Sequence, residues 1–262
     1  MKKTFLIKKM MAFVLIMVVY CLPLYAETLS PEKQNQLNAY FQQAWKLLGQ
    51  MHKDVSNLDK ASAIYQKALA LAPNHAKTYW KVAEISFKKA QELEPRDKKA
   101  AKKLYDQALE NAKKAVSLNP NSVGAIYWMG TCEAKLADLA GIFKAMSLVK
   151  SAKKNFKKCI ELDPKNRFSI LSRVILAVLY TETPWPMRDL GEADKLTAKA
   201  VEMDPNLTLA SVKRARVHIK NKDKDLAKKE LQRCLNIKKP TYVWDSVLYD
   251  WPEAKELMKQ VN

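Results

Sequence analysis

Residues 42–74 read QQAWKLLGQMHKDVSNLDKASAIYQKALALAPN, and the spacing of bulk in this stretch decides the fold. Trp45 and Leu48 are followed by the small Gly49, and Ala61, Tyr65 and Ala68 are followed by Pro73. Residues three or four apart share one face of a helix, so the segment reads as two antiparallel helices. Gly49 and Ala61 lack bulk where two antiparallel helices would touch, while Trp45, Leu48 and Tyr65 fill the space beside them. Pro73 ends the second helix because it has no backbone N–H to donate.

The same ending returns as Leu118 to Asn121, Leu162 to Lys165 and Met203 to Asn206, each with a proline third. Ahead of these stops stand Ala108, Ala112 and Ala115, then Ala152, Phe156 and Cys159, then Ala193, Thr197 and Ala200. A fifth unit runs from Thr208 to Pro240 with Ala215, His218, Ala227, Leu231 and Cys234 in register. This pattern resembles the tetratricopeptide repeat, a helix pair of about 34 residues. The resemblance implies an all-α, TPR-type superhelix of about five helix pairs. The second to fourth units are longer than usual, with breaks at Glu94 to Asp97 and at Gly141 and with the loop Thr183 to Gly191. Ser30 and Pro31 supply a helix start, and Pro252 to Val261 is expected to form a terminal helix capping the last pair.

Lys2, Lys3, Lys8 and Lys9 precede an apolar run from Met10 to Leu22, the layout of a secretory signal. The run is shorter than the roughly 20 residues of a membrane span, and Ala26 offers a cleavage point. Residues 1–26 are therefore expected to be a cleaved signal, residues 27–262 one helical repeat domain, and the destination the periplasm. A lipid anchor on Cys21 is disfavoured by the bulk of Tyr20.

Within the repeat class, Lys102 to Ala108, Tyr127 to Gly130, Gly141 to Lys150 and the proline-tryptophan loop before Gly191 resemble the TatT-like family. That family is the T component of TRAP transporters. The resemblance implies a periplasmic solute-binding protein as partner and a homotrimer. The Gly141 helix and the run Lys157 to Pro164 also look loosely like the eukaryotic regulators of microtubule dynamics, a setting that a signal of this form argues against.

First helices of such an array line its concave face, and register places Trp80, Glu84, Phe87, Tyr127, Thr131 and Lys135 there. Large aromatics in a groove supply contact area at low entropic cost. Packing of the same rings inside the long second pair is the alternative. Trp185, held between Pro184 and Pro186, either presents its indole to a partner or folds onto the groove mouth.

Chemistry beyond binding finds little support. His52 and His218 occupy packing positions, His75 lies in a turn, and no HExxH, GxSxG or phosphate-cradling glycine loop occurs. No catalytic residue, metal ligand or cofactor is expected. Cys132, Cys159 and Cys234 are widely spaced, which favours buried thiols over a bridge.

The formal charge of +19 is concentrated in lysine groups such as Lys98–Lys103, Lys153–Lys158 and Lys213–Lys229. These form either a solvated convex face or a surface for an anionic partner such as phospholipid head groups. Nucleic acid is a weak third choice for an exported chain. The expected function is that of a non-catalytic scaffold gripping a protein or peptide in its groove. The alternative is an accessory of solute uptake that passes a small apolar ligand.

Overall fold

The computed structural model describes residues 29–261, and the stretch assigned to a signal lies outside them. No strand occurs among the described residues. Five antiparallel helix pairs follow in order: α1 (Pro31–Leu48) with α2 (Asn57–Leu71), α3 (Ala76–Leu93) with α4 (Lys98–Leu118), and α5 (Val123–Asp138) with α6 (Ile142–Leu162). They continue with α7 (Arg167–Glu182) and α8 (Leu190–Met203), then α9 (Thr208–Lys220) and α10 (Lys224–Asn236). The extended second to fourth units are present, with α4 and α6 each 21 residues long.

The stops work by one repeated geometry. The residue before each proline, Ala72, Asn119, Asp163 and Asp204, leaves the helical region with φ of −140°, −145°, −153° and −136°. Proline forbids its predecessor the helical conformation, so each chain end turns at the same place. In every case the turning residue still donates its N–H to the carbonyl four back, on Ala68, Ala115, Cys159 and Ala200. Those carbonyls belong to the small residues of the repeat, so one position both admits the neighbouring helix and anchors the turn.

Starts are equally explicit. The side chains of Ser30, Asp97, Ser122, Asn166, Asp189 and Asp223 each accept a backbone N–H two or three residues on, satisfying donors the helix leaves unpaired. Ala61, Ala108, Ala152, Ala193 and Ala227 are fully buried at the pair contacts. Stacking then sets α3 against α5, α5 against α7 and α7 against α9, so the first helices form a continuous inner wall. The three cysteines among the described residues, Cys132, Cys159 and Cys234, are buried and free, the last two at small-residue positions of the repeat.

Past α10 the chain crosses the inner face before it caps the array. Thr241 donates its N–H to the Asn206 carbonyl (3.1 Å) and its hydroxyl to Asp204 (2.8 Å). A single turn over Val243–Asp245 and a wide turn over Ser246–Asp250 lead into α11 (Trp251–Val261). Leu257 and Val261 bury themselves against Val212 and Leu231, closing the apolar end of the last pair as the sequence requires of a terminal helix.

Candidate binding site

The inner wall curves enough that α1 meets the start of α7. Arg167, the first residue of α7, lies over the Trp45 ring of α1 at 5.0 Å and over Phe168 at 4.5 Å. Lys81 of α3 lies over Trp45 at 4.5 Å and Trp80 at 4.7 Å, and bonds Glu84 at 2.7 Å. Burial holds the Lys81 ammonium below its ordinary pKa, against the opposing pull of Glu84. Lys81 is buried among these rings while Arg167 stays exposed, so the contact that desolvation strengthens is that of the Lys81 ammonium.

A cavity of about 330 Å³ opens along this wall, and every first helix contributes to it. Trp45 comes from α1, Glu84, Phe87, Lys88 and Gln91 from α3, and Tyr127, Trp128 and Thr131 from α5. Arg167, Phe168, Leu171 and Ile175 come from α7, and Leu209 and Lys213 from α9. The far side is the crossing segment, with Tyr242, Trp244, Asp245, Tyr249 and Asp250. Three contacts fasten that segment: Trp244 edge-on to Trp45 at 5.3 Å, Asp245 paired with Lys88, and the Tyr249 hydroxyl donating to Glu92.

The rings inside pack on one another. Trp80 meets Phe168 edge-on at 5.3 Å, and Tyr127 lies 5.2 Å from Phe168 and from Trp128. Two polar atoms on the wall have no hydrogen-bond partner among the described residues: the indole N–H of Trp128 and the side-chain oxygen of Gln91. Asp250 accepts the Thr208 hydroxyl at 2.6 Å, and burial pushes its carboxyl up to about 7. Burial also raises Glu253, but Lys213 and Arg216 beside it outweigh this and leave the carboxyl low. None of the three histidines lines the cavity, and no group of three metal-ligating side chains occurs among the described residues.

The residues singled out from sequence divide into four sets. Glu84, Phe87, Tyr127 and Thr131 come together in the cavity. Trp80 faces the adjoining basin of Trp45, Lys81 and Arg167. Lys135 is drawn away by Glu94 (2.9 Å) and lies over the Tyr105 ring, bracing the break between α3 and α4. Trp185 is 85% exposed, so the expectation that it folds onto the groove mouth gives way to an indole facing outward. Sequence reasoning missed Lys88, Gln91, Arg167 and the whole crossing segment. The available signal was the density of aromatic and acidic residues from Tyr242 to Trp251, beyond the last repeat.

Stacked pairs, proline stops and a lined inner face define a tetratricopeptide-type helical repeat protein. Solved structures agree: a thermophilic TPR protein of Thermus thermophilus superposes with a TM-score of 0.60 over 87% of this chain and 96% of its own, at 16% identity. Pseudomonas aeruginosa PilF superposes at 0.56 over 88% of this chain and 92% of its own, at 15% identity. Such identities speak for the fold alone.

The chain belongs to the family described as Regulator of microtubule dynamics protein 1-3, whose model matches residues 40–262. Regulator of microtubule dynamics protein 1 from Pongo abelii is 32% identical over 117 residues, covering 45% of this chain and 37% of the relative. The Rattus norvegicus protein is 31% identical over 140 residues, 48% of this chain and 45% of the relative. The chain thus spans under half the length of the curated relatives it matches. This corrects the periplasmic expectation: these relatives are mammalian, and mammalian cells have no periplasm. Of the two resemblances read from the Gly141 helix, the family match supports the one to the regulators of microtubule dynamics and does not confirm the TatT-like one.

Proposed function

We propose that this chain is a non-catalytic TPR-type scaffold whose inner cavity holds a short peptide segment of a protein partner. The observation that carries the reading is a wall of mostly apolar residues, set with charges such as Glu84, Lys88 and Arg167, on which Trp128 and Gln91 each bear a buried polar atom without a partner, the indole N–H and the side-chain oxygen. A buried donor and a buried acceptor each call for a partner, and a peptide group offers the complement of both. The crossing segment supports the same chemistry, since the wall already grips an aromatic and an acidic side chain of its own chain through Trp45 and Lys88. Glu84, Phe87, Tyr127 and Thr131 belong to this proposed site. The relatives' name describes control of microtubule dynamics; holding a protein partner is the step proposed here.

A second reading, a small apolar ligand in place of a peptide, draws on the size and lining of the cavity, which falls near the lower end of small-molecule sites. A photoreactive side chain at Ile175, inside the wall, tests both. A protein adduct that is formed from Ile175 and lost in Trp128→Phe supports peptide binding. A bound small molecule in native mass spectra without any protein adduct overturns it in favour of the second reading. A protein adduct indifferent to Trp128→Phe removes the polar pair from the site.

A further inference from the structure

The most exposed apolar side chains lie outside the cavity, on one edge of the array. Ile142, Phe143 and Met146, on the first turns of α6, are 71%, 88% and 50% exposed. Trp185, on the loop that joins α7 to α8, is 85% exposed. Both segments join the first helix of a unit to its second, and such junctions line up along a solenoid. A basin between them confirms the adjacency, with Met146 on one side and Pro186 and Met187 on the other. Lys153 ties the two together: its ammonium donates to the Met187 carbonyl at 3.3 Å and lies 4.1 Å from the Tyr180 ring centre.

Charge on this edge follows the same helical stripe. From Met146 the steps of three and four residues along α6 lead to Lys150, Lys154, Lys157 and Lys158, all lining the basin. The acidic groups there are Glu161 and Asp189, and Asp189 is engaged in capping α8. No carboxylate pairs with Lys150, Lys154 or Lys157 among the described residues.

We propose that this edge docks on the surface of an anionic phospholipid bilayer, with Phe143 and Trp185 entering the head-group region and the α6 lysines meeting lipid phosphates. Protruding aromatic tips beside a lysine stripe are the arrangement by which peripheral proteins seat in a membrane interface. No described helix is long and apolar enough to cross a membrane, so the contact would be lateral. A second copy of the chain is a poor occupant, because the same lysine stripes would face one another.

The test uses the full chain with vesicles of phosphatidylcholine alone or with added phosphatidylserine, the acyl chains brominated to quench indole emission. The Trp185 signal is the difference between the wild type and Trp185→Phe, so binding by any other part of the chain does not enter it. Quenching of that signal on anionic vesicles is expected, with affinity falling at least tenfold when Lys150, Lys154 and Lys157 are all changed to Glu. Reversal of Lys99, Lys102 and Lys103 should leave it unchanged. An unquenched Trp185, equal quenching on neutral vesicles, or indifference to the α6 reversal overturns the proposal. An unquenched Trp185 would pass the edge to a protein partner.

Discussion

The indole of Trp244 stands perpendicular to the indole of Trp45, with centroids 5.3 Å apart and planes at 88°, joining the segment after the last repeat to the first helix of the array. The edge of one ring meets the negative face of the other, the favoured arrangement for such pairs. Beside it, Gly49 packs against the Trp244 indole, where an added Cβ would sit at an ordinary contact distance of 3.6 Å. Trp244→Ala should therefore cost about 3 kcal/mol, from lost burial and the void left behind. Urea unfolding checks this: the midpoint should fall, and a steady slope would show that the denatured state is unchanged.

Lys88 and Asp245 fasten the same segment from the other side, and Lys88 is the more buried of the two. Truncating Asp245 leaves an ammonium in a desolvated wall, so Asp245→Ala should destabilise more than Lys88→Met, which removes the charge together with its need for a partner. A double-mutant cycle should return a coupling of roughly 1 to 3 kcal/mol. Additive single changes would show that the pair contributes nothing beyond its separate parts.

Much of the fold was legible because its determinants are local. Ala68 and Pro73, or Cys159 and Pro164, lie within one helical turn and its exit, so each stop can be read without knowing where the helix goes. The crossing segment was not legible for the opposite reason. Trp45 meets Trp244 and Arg167 only because several stacked pairs together bend α1 toward the later units, a curvature that no single repeat encodes. The candidate site was half legible on the same grounds: register found Glu84, Phe87, Tyr127 and Thr131, all on first helices. It failed at Lys135, whose direction is set by Glu94 across the unit. Trp185 lies on a loop, where register does not apply, and of the two dispositions open to it the exposed one is found.

Gly124 opens α5 where Phe168 and Trp80 converge, and a Cβ there would fall 2.9 Å from Phe168 Cε2 and 3.1 Å from Trp80 Cε2. Both neighbours are rigid rings packed on each other, so neither can yield cheaply. Gly124→Ala should cost about 1 to 3 kcal/mol despite the better helix propensity of alanine. Gly141, with nothing within 4 Å of an added Cβ, is the control and should tolerate alanine. Thermal unfolding of both variants decides between crowding and propensity.

Burial suppresses the thiolates of Cys132, Cys159 and Cys234, with Cys159 pushed up to about 11 and Cys234 to about 12. Since the thiolate is the reactive species, all three should resist a maleimide or aromatic disulfide near neutral pH. Peptide mapping after labelling should show them unmodified in the folded protein and modified in denaturant. Labelling of one of them alone under native conditions would locate a local opening at its helix pair.

Asp250 offers a pH test of the crossing segment. Its carboxyl titrates near 7 in the fold, because burial disfavours the charge more than the Thr208 hydroxyl favours it, and at 3.8 when free. A folded pKa above the unfolded one means the folded state holds its proton longer. The contribution is fully present below about pH 4 and is lost as pH rises toward 7. The loss from this one group is at most on the order of 4 kcal/mol. Asp245, Lys213, Glu253 and Cys234 also bear on the site, so the clean comparison is Asp250→Asn, which keeps the shape and removes the proton. Stability of the wild type minus that of Asp250→Asn should fall between pH 4.5 and 7.5 and then level. A difference that stays flat across this range would mean that Asp250 is already ionised in the fold, and that the crossing segment lies against the wall less tightly than its contacts with Trp45 and Lys88 require.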